Sequence, residues 1–477
     1  MRLQQKSNHF ATGWLVLVLA TLMVMAYPYV RSKFDLLQKY TKAYDIPFLP
    51  EPKQDSSSII EPKIDSSLLQ DTMLSYGIDS LTVDSSIVSE SLDSNEIFTS
   101  SGLELFLQEL KQLERNPREK LTILWFGDSM IEGDLITQEV RDSLQRKFGG
   151  LGVGYVPITS IVNKYRYTIR HEFSDNWLSY NVVKGGQPLY HLNWNGEYFT
   201  AQLDSTDSIH QFDTLTVNYS RTTAFPGTRY LPNPTLLYGK RKKDNNWVDS
   251  SNIVYFNDQS YFLEGNNPVN QLELYSGNLS ELSLKFLLKP DQPLYGMNFH
   301  SGSGIELSNI SSRGNSGMTL AGIKTAIFRG MLVNSSPSLI ILQFGVNTIT
   351  TGVTEYDWYE RVMKRVVTYL QKVYPTASIA IISLADRSTK INGSMQTDSS
   401  VFAMNKVLAK VAKESDAAYF DLFQRMGGEN SMKKWVEAKP PLANKDYTHF
   451  NSRGSKKVAG YFVEFLLKHN ENLNKEK

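Results

Sequence analysis

Three residue types that together can cleave an ester are placed at the two ends of this 477-residue chain. Asp446 stands three residues before His449 in Asn-Lys-Asp-Tyr-Thr-His-Phe-Asn, just ahead of a predicted helix over residues 452–468. That spacing lets both side chains leave one turn in the same direction, so that a carboxylate can orient and polarise an imidazole. A serine that such an imidazole could activate is Ser129, in Gly127-Asp128-Ser129. The order Ser, Asp, His is compatible with a triad, because triads are defined by geometry and not by chain order. Alone, the Gly-Asp-Ser turn reads equally well as a capped strand end, and an isolated Asp-x-x-His as an exposed helix-entry loop. The chain has seven histidines, and only His449 has an aspartate at this offset next to a predicted helix start.

The elements that must position these residues are legible as hydrophobic patterns. Leu121, Ile123, Leu124, Trp125 and Phe126 form an apolar run without polar alternation, as in a parallel strand covered on both faces. Residues 136–148 follow with Val140, Leu144 and Phe148 four apart, the pattern of an amphipathic helix. A serine at the carboxyl end of a buried strand, in a glycine turn leading to a helix, stands where open α/β sheets carry their ligands. A second apolar strand, from Leu339, ends in Phe344-Gly345-Val346-Asn347-Thr348. Before it, Arg313-Gly314-Asn315-Ser316-Gly317 precedes a predicted helix over 319–332. Tight glycine turns and a side-chain amide can supply the donors that acyl transfer needs for its oxyanion.

In this order the four stretches resemble the blocks of the SGNH, or GDSL-type, hydrolase family over residues 105–165 and 305–470, about half the chain. The resemblance makes Ser129 the nucleophile and Asp446 and His449 its partners. It assigns the oxyanion hole to the backbone N–H groups of Ser129 and Gly317 and to the Asn347 amide. The chain departs from the family at Thr348, where an acidic residue often follows the asparagine. The resemblance implies a flavodoxin-like α/β/α domain with a parallel sheet and a chemistry that needs no metal or cofactor.

The rest of the chain extends this reading. The net charge of +1 gives no reason to expect a nucleic acid partner, and the absence of cysteine excludes disulfides, thiol nucleophiles and cysteine metal sites. Residues 1–30 hold an apolar stretch from Trp14 to Tyr27 behind Arg2 and Lys6. That is close to the roughly 20 residues that cross a bilayer. We read it as an uncleaved N-terminal transmembrane anchor in preference to a cleaved signal peptide, because Tyr27, Pro28 and Tyr29 make a poor cleavage context. Either way the remainder is exported, to the periplasm or cell surface. Residues 31–101, rich in Ser, Asp and Pro, read as a disordered tether, and residues 102–113 as the first helix of the hydrolase domain.

The hydrolase part at 102–165 is followed by a change of texture. Residues 166–305 show period-two alternation broken by turn residues, as in an antiparallel sandwich or jelly roll. The α/β pattern resumes over 306–470. An inserted β-sandwich of this kind is similar to that of the bacterial peptidoglycan O-acetylesterases, whose module resembles a carbohydrate-binding domain. Trp177, Tyr180, Tyr190, Trp194, Tyr198, Tyr230 and Trp247 could stack on sugars, although aromatic residues in strands are more often core. The strand-end pair Asp386 and Arg387 and the basic run 240–243 read as solvated charges. The first functional expectation is an exported O-acetylesterase acting on a glycan, peptidoglycan or exopolysaccharide. The others are an O-acetyltransferase with the same triad and a catalytically silent glycan-binding protein.

Overall fold

The computed structural model describes residues 98–99, 102–185, 187–202, 214–242, 252–332 and 335–475. The expected anchor at 1–30 lies outside these residues, as does the expected tether at 31–101 apart from 98–99. Among the described residues no helix is long and apolar enough to cross a membrane.

Five parallel strands form the sheet of the α/β domain: β1 (Lys120–Gly127), β2 (Gly304–Ser311), β3 (Pro337–Gln343), β4 (Ser378–Ile382) and β5 (Ala418–Phe420). Their spatial order is 2-1-3-4-5, with the short antiparallel pair Phe98–Thr99 beyond β5. This is the flavodoxin-like order, and its topological switch point lies between β1 and β3.

Both faces of the sheet are covered, which is why β1 shows no polar alternation. Successive side chains still point to opposite faces. Ile123 and Trp125 enter one core with helices α1 (Glu104–Arg115), α2 (Thr137–Phe148) and α5 (Ser452–Lys475). Leu124 and Phe126 enter the other with α3 (Asp357–Val373) and α4 (Ser399–Glu414). The helix expected over 319–332 is instead a 3₁₀ turn, Met318–Gly322, and a short helix, Thr325–Gly330. Ile323 and Lys324 between them adopt extended backbone angles and break the run.

Between α2 and β2 the chain builds two antiparallel sheets. One has the order Gln259–Phe262, Ile253–Phe256, Glu281–Leu287, Leu215–Arg221, Ile169–Phe173. The other runs Val269–Glu273, Thr235–Gly239, Leu294–Phe299, Glu197–Ala201, Trp177–Asn181. The alternation is clean where one face meets solvent: Leu282, Leu284 and Phe286 are buried while Glu281, Ser283 and Lys285 are exposed. The two sheets enclose a core of their own, while Tyr155, Trp194, Tyr198, Leu237, Val269 and Tyr295 join the core that holds Leu124 and Phe126.

The module begins earlier than its alternation indicates. Gly154–Pro157, read from sequence as hydrolase, pairs with Leu294–Phe299. The glycine run 149–154 lets the chain leave beside β2. Gly150 has φ +108°, and a Cβ there would lie 2.5 Å from the Ile305 carbonyl oxygen. No L side chain fits that position.

Candidate active site

Ser129, Asn347, Asp446 and His449 come together at the carboxyl end of the sheet, at the switch point between β1 and β3. The nucleophile turn is shaped by Gly127, where a Cβ would lie 2.8 Å from the Ile131 side chain. Asp128 follows, and its Oδ1 accepts the Met130 N–H at 3.0 Å, a local side-chain-to-backbone turn of the kind aspartate favours. Ser129, between them, is half-buried.

The Asp-x-x-His turn is built by the same device. Asp446 Oδ1 accepts the backbone N–H groups of Thr448 and His449, both at 3.0 Å, and a bridge between Ala443 and Phe450 closes the loop. Asn451 then caps α5 by accepting the N–H groups of Arg453 and Gly454. With Oδ1 so engaged, Oδ2 faces the imidazole. His449 Nδ1 lies 2.7 Å from it, and His449 Nε2 lies 2.9 Å from Ser129 Oγ. These two contacts link carboxylate, imidazole and hydroxyl in the order a serine nucleophile requires.

The electrostatics agree. Burial opposes ionisation of both partners, but the hydrogen bond and charge they share outweigh it. The Asp446 carboxyl is held below the usual carboxylate range and the His449 imidazole is raised above the usual histidine value. Arg313 opposes the histidine shift. Its guanidinium is tied to Glu132 at 2.5 and 2.8 Å.

The oxyanion residues are differently placed from the sequence expectation. Asn347 does lie beside Ser129's turn, but its Nδ2 donates to Asp128 Oδ2 and to the Asn315 carbonyl, each at 3.1 Å. The Gly317 N–H donates to Asn315 Oδ1 at 2.9 Å. Gly317 itself is required by a φ of +80° and by Phe344, whose ring would lie 2.7 Å from a Cβ. Asp128, Asn347, Asn315 and Gly317 thus form one hydrogen-bonded row across the ends of β1, β3 and the loop after β2.

Sequence reading missed Asp128 and Asn315 as members of this row. Asp128 is fully buried, and burial raises its carboxyl to about 7 against the pull of the Met130 N–H and the His449 charge. An aspartate or asparagine two residues before a tight-turn N–H was the local signal available.

Other expectations change. Asp386 is not solvated: it is wholly buried and accepts the Met432 N–H at 2.7 Å, while Arg387 pairs with buried Asp398 at 2.5 Å. In the basic run, Arg241 pairs with Asp291 at 2.6 Å. Trp177, Trp194 and Tyr198 are core residues, Tyr180 and Tyr190 are half-buried, and Tyr230 is exposed. Trp247 lies outside the described residues. Among the described residues no group of acidic or histidine side chains could hold a metal ion.

Residues 295–457 match the family model of the GDSL-like lipases and acylhydrolases. The matched stretch contains Gly317, Asn347, Asp446 and His449, and Ser129 lies upstream of it, beyond the β module. Over that stretch, about a third of the chain, the sequence is similar to the SGNH, or GDSL-type, hydrolases, which are carboxylic ester hydrolases by class. A solved peptidoglycan O-acetylesterase superposes with a TM-score of 0.63 at 16% identity, covering 79% of this chain and 99% of its own. That likeness is one of fold and includes the β module. An acetyl xylan esterase, AlAXEase, matches at 19% identity and TM-score 0.27, over 34% of this chain and 81% of its own. A family two carbohydrate esterase from Clostridium thermocellum matches at 8% and 0.24, over 54% and 91%. No curated protein matches by sequence.

Proposed function

We propose that the chain is an exported O-acetylesterase that removes acetyl groups from a glycan, peptidoglycan or an exopolysaccharide, through Ser129, His449 and Asp446. The observation that carries the reading is the unbroken contact from Asp446 Oδ2 through His449 to Ser129 Oγ, at 2.7 and 2.9 Å. His449 Nε2 takes the hydroxyl proton as Oγ attacks the ester carbonyl, and Asp446 stabilises the imidazolium that forms. The same proton then goes to the departing sugar hydroxyl, and water, activated by the neutral imidazole, releases acetate from the serine ester.

The developing oxyanion is met by the Ser129 N–H and the Asn347 amide. Among the described residues the Ser129 N–H donates to no protein acceptor. In this arrangement the Asn347 amide turns one N–H from the Asn315 carbonyl to the oxyanion while Asp128 holds the other. The glycan as substrate is supported by the fold shared with the peptidoglycan O-acetylesterase, β module included. Export is supported by the apolar stretch within residues 1–30, which would anchor the enzyme to the inner membrane with its catalytic part outside.

Acetate release from an acetylated glycan and from p-nitrophenyl acetate, compared between the chain and its Ser129→Ala variant, tests the reading. Release from both that vanishes in the variant supports it. Acetyl transfer to an added sugar acceptor without net acetate release assigns a transferase instead. A folded wild type that attacks neither ester refutes both.

A further inference from the structure

We propose that Asp134 is a positioning residue through which the inserted β module fixes the geometry of the Ser129 turn, an inference that rests on the esterase reading above. The turn after the nucleophile is strained: Gly133, Asp134 and Ile136 all have positive φ, at 71°, 71° and 64°. For a β-branched residue such as Ile136 that conformation is an outlier, and strain of this kind persists only where its surroundings enforce it. Here one wholly buried carboxylate does so. Asp134 accepts Arg141 through both oxygens at 2.7 and 2.8 Å and Thr137 Oγ1 at 2.6 Å. It also accepts Thr168 Oγ1 at 2.6 Å and Arg166 Nη2 at 3.4 Å.

The first three of those bonds come from α2, within the hydrolase domain. The last two come from the segment that leads into the module strand Ile169–Phe173. Burial works against the charge, and the Arg141 and Arg166 guanidiniums reverse that and hold the carboxyl well below its usual range. The clamped turn in turn sets what surrounds the nucleophile. The Ile131 N–H donates to the Asp128 carbonyl and the Glu132 N–H to the Ser129 carbonyl, while Asn309 Nδ2 is shared by the Ile131 carbonyl and Thr137 Oγ1. Glu132 lies inside the turn and holds Arg313. Docking of the module is therefore coupled to the shape of the nucleophile turn, independently of any glycan the module touches.

The test uses p-nitrophenyl acetate, which carries the acetyl group but no sugar to contact the module. In the full-length chain, Thr168→Val and Arg166→Gln each remove a module donor and leave the three α2 bonds. Each is expected to lower kcat roughly 10- to 100-fold, the scale of a misplacement of about 1 Å transmitted from outside the reacting groups, with KM little changed. Thr168→Ser keeps the hydroxyl and restores kcat. Phe262→Ser, on an exposed strand at the opposite edge of the same sheet, leaves kcat alone. A lowered melting temperature with unchanged kcat in variants of native near-ultraviolet circular dichroism assigns a purely structural role and overturns the inference, as does a change confined to KM. A wild type that cleaves no ester removes the esterase reading itself, and this inference with it.

Discussion

Substitution of Asp446 by asparagine changes few atoms and reverses one hydrogen bond. In the native turn Oδ1 is occupied by the Thr448 and His449 backbone N–H groups, so the new carboxamide keeps its oxygen there and turns its NH₂ toward His449 Nδ1. Nδ1 then accepts instead of donating. The ring's proton moves to Nε2, 2.9 Å from Ser129 Oγ, where the base that should receive the hydroxyl proton now carries one of its own. The turn itself is preserved, so stability should change little while turnover falls by roughly 10⁴, the scale set by a wrong tautomer in a serine triad. At about 1.36 kcal/mol per tenfold, that is roughly 5.4 kcal/mol of lost transition-state stabilisation.

The pH profile adds a second reading of the same substitution. Asp446 raises the His449 imidazole against the effect of burial, and the proposed mechanism requires the neutral ring, so the acid limb of kcat/KM is shifted upward from the ordinary histidine value in the wild type. Without the carboxylate that limb should move to lower pH. The assay is the p-nitrophenyl acetate rate from about pH 5 to 9, which brackets the ordinary histidine range, with melting temperatures of both proteins alongside. An Asp446→Asn enzyme within tenfold of wild type, or an acid limb that stays in place, refutes the tautomer argument.

Other outcomes follow from the same geometry. Asn347→Ala should cost roughly 10² to 10³ in kcat, the loss associated with one oxyanion donor. Asp128→Asn sets an NH₂ against the Asn347 NH₂, now 3.1 Å from a carboxylate oxygen, and should lower kcat to a similar degree. The double variant should then be no worse than either single one, because both act through the same amide. Gly317→Ala must keep a left-handed backbone against the Phe344 ring and should cost about 1 to 3 kcal/mol in urea unfolding. In the module, buried His171 has its Nε2 2.9 Å from the Ile158 carbonyl oxygen, to which it donates, and burial lowers the imidazole to about 3. The unfolded chain takes up a proton there below the ordinary value of 6.5, so stability is fully present above 6.5 and falls as pH drops toward 3. His171→Phe should flatten that part of the profile in thermal melts.

What could be read in advance was whatever one strand or one turn determines by itself. The unbroken apolar run of β1 signalled a sheet covered on both faces, and Asp446 and His449 share a turn whose bonds span three residues. Period-two alternation announced the module because one face of its strands is wet. The misreadings occur where a distant partner decides. Asp386 and Arg387 look like solvated strand-end charges until Met432 and Asp398 are folded against them. The module's first strand, Gly154–Pro157, is too short to alternate and is defined only by its pairing with Leu294–Phe299.

The same distinction runs through the site. Ser129, Asp446 and His449 could be singled out because each carries its chemistry in its own type and spacing. Asp128 could not, since its role comes from Asn347, 219 positions away, reaching its second oxygen. A carboxylate already spent on the Met130 N–H looks like a turn residue and nothing else. Only the 2-1-3-4-5 order, which sets the end of β1 beside the end of β3, makes it a ligand for the amide. The strand order thus does more than bring Ser129, His449 and Asp446 together: it places a buried acid behind the proposed oxyanion donor, where its charge state is tied to the histidine's. Ionised Asp128 favours protonated His449, and protonated His449 favours ionised Asp128. In the proposed mechanism the imidazolium formed as Ser129 attacks is therefore supported by Asp446 in its own turn and by ionised Asp128 at the end of β1.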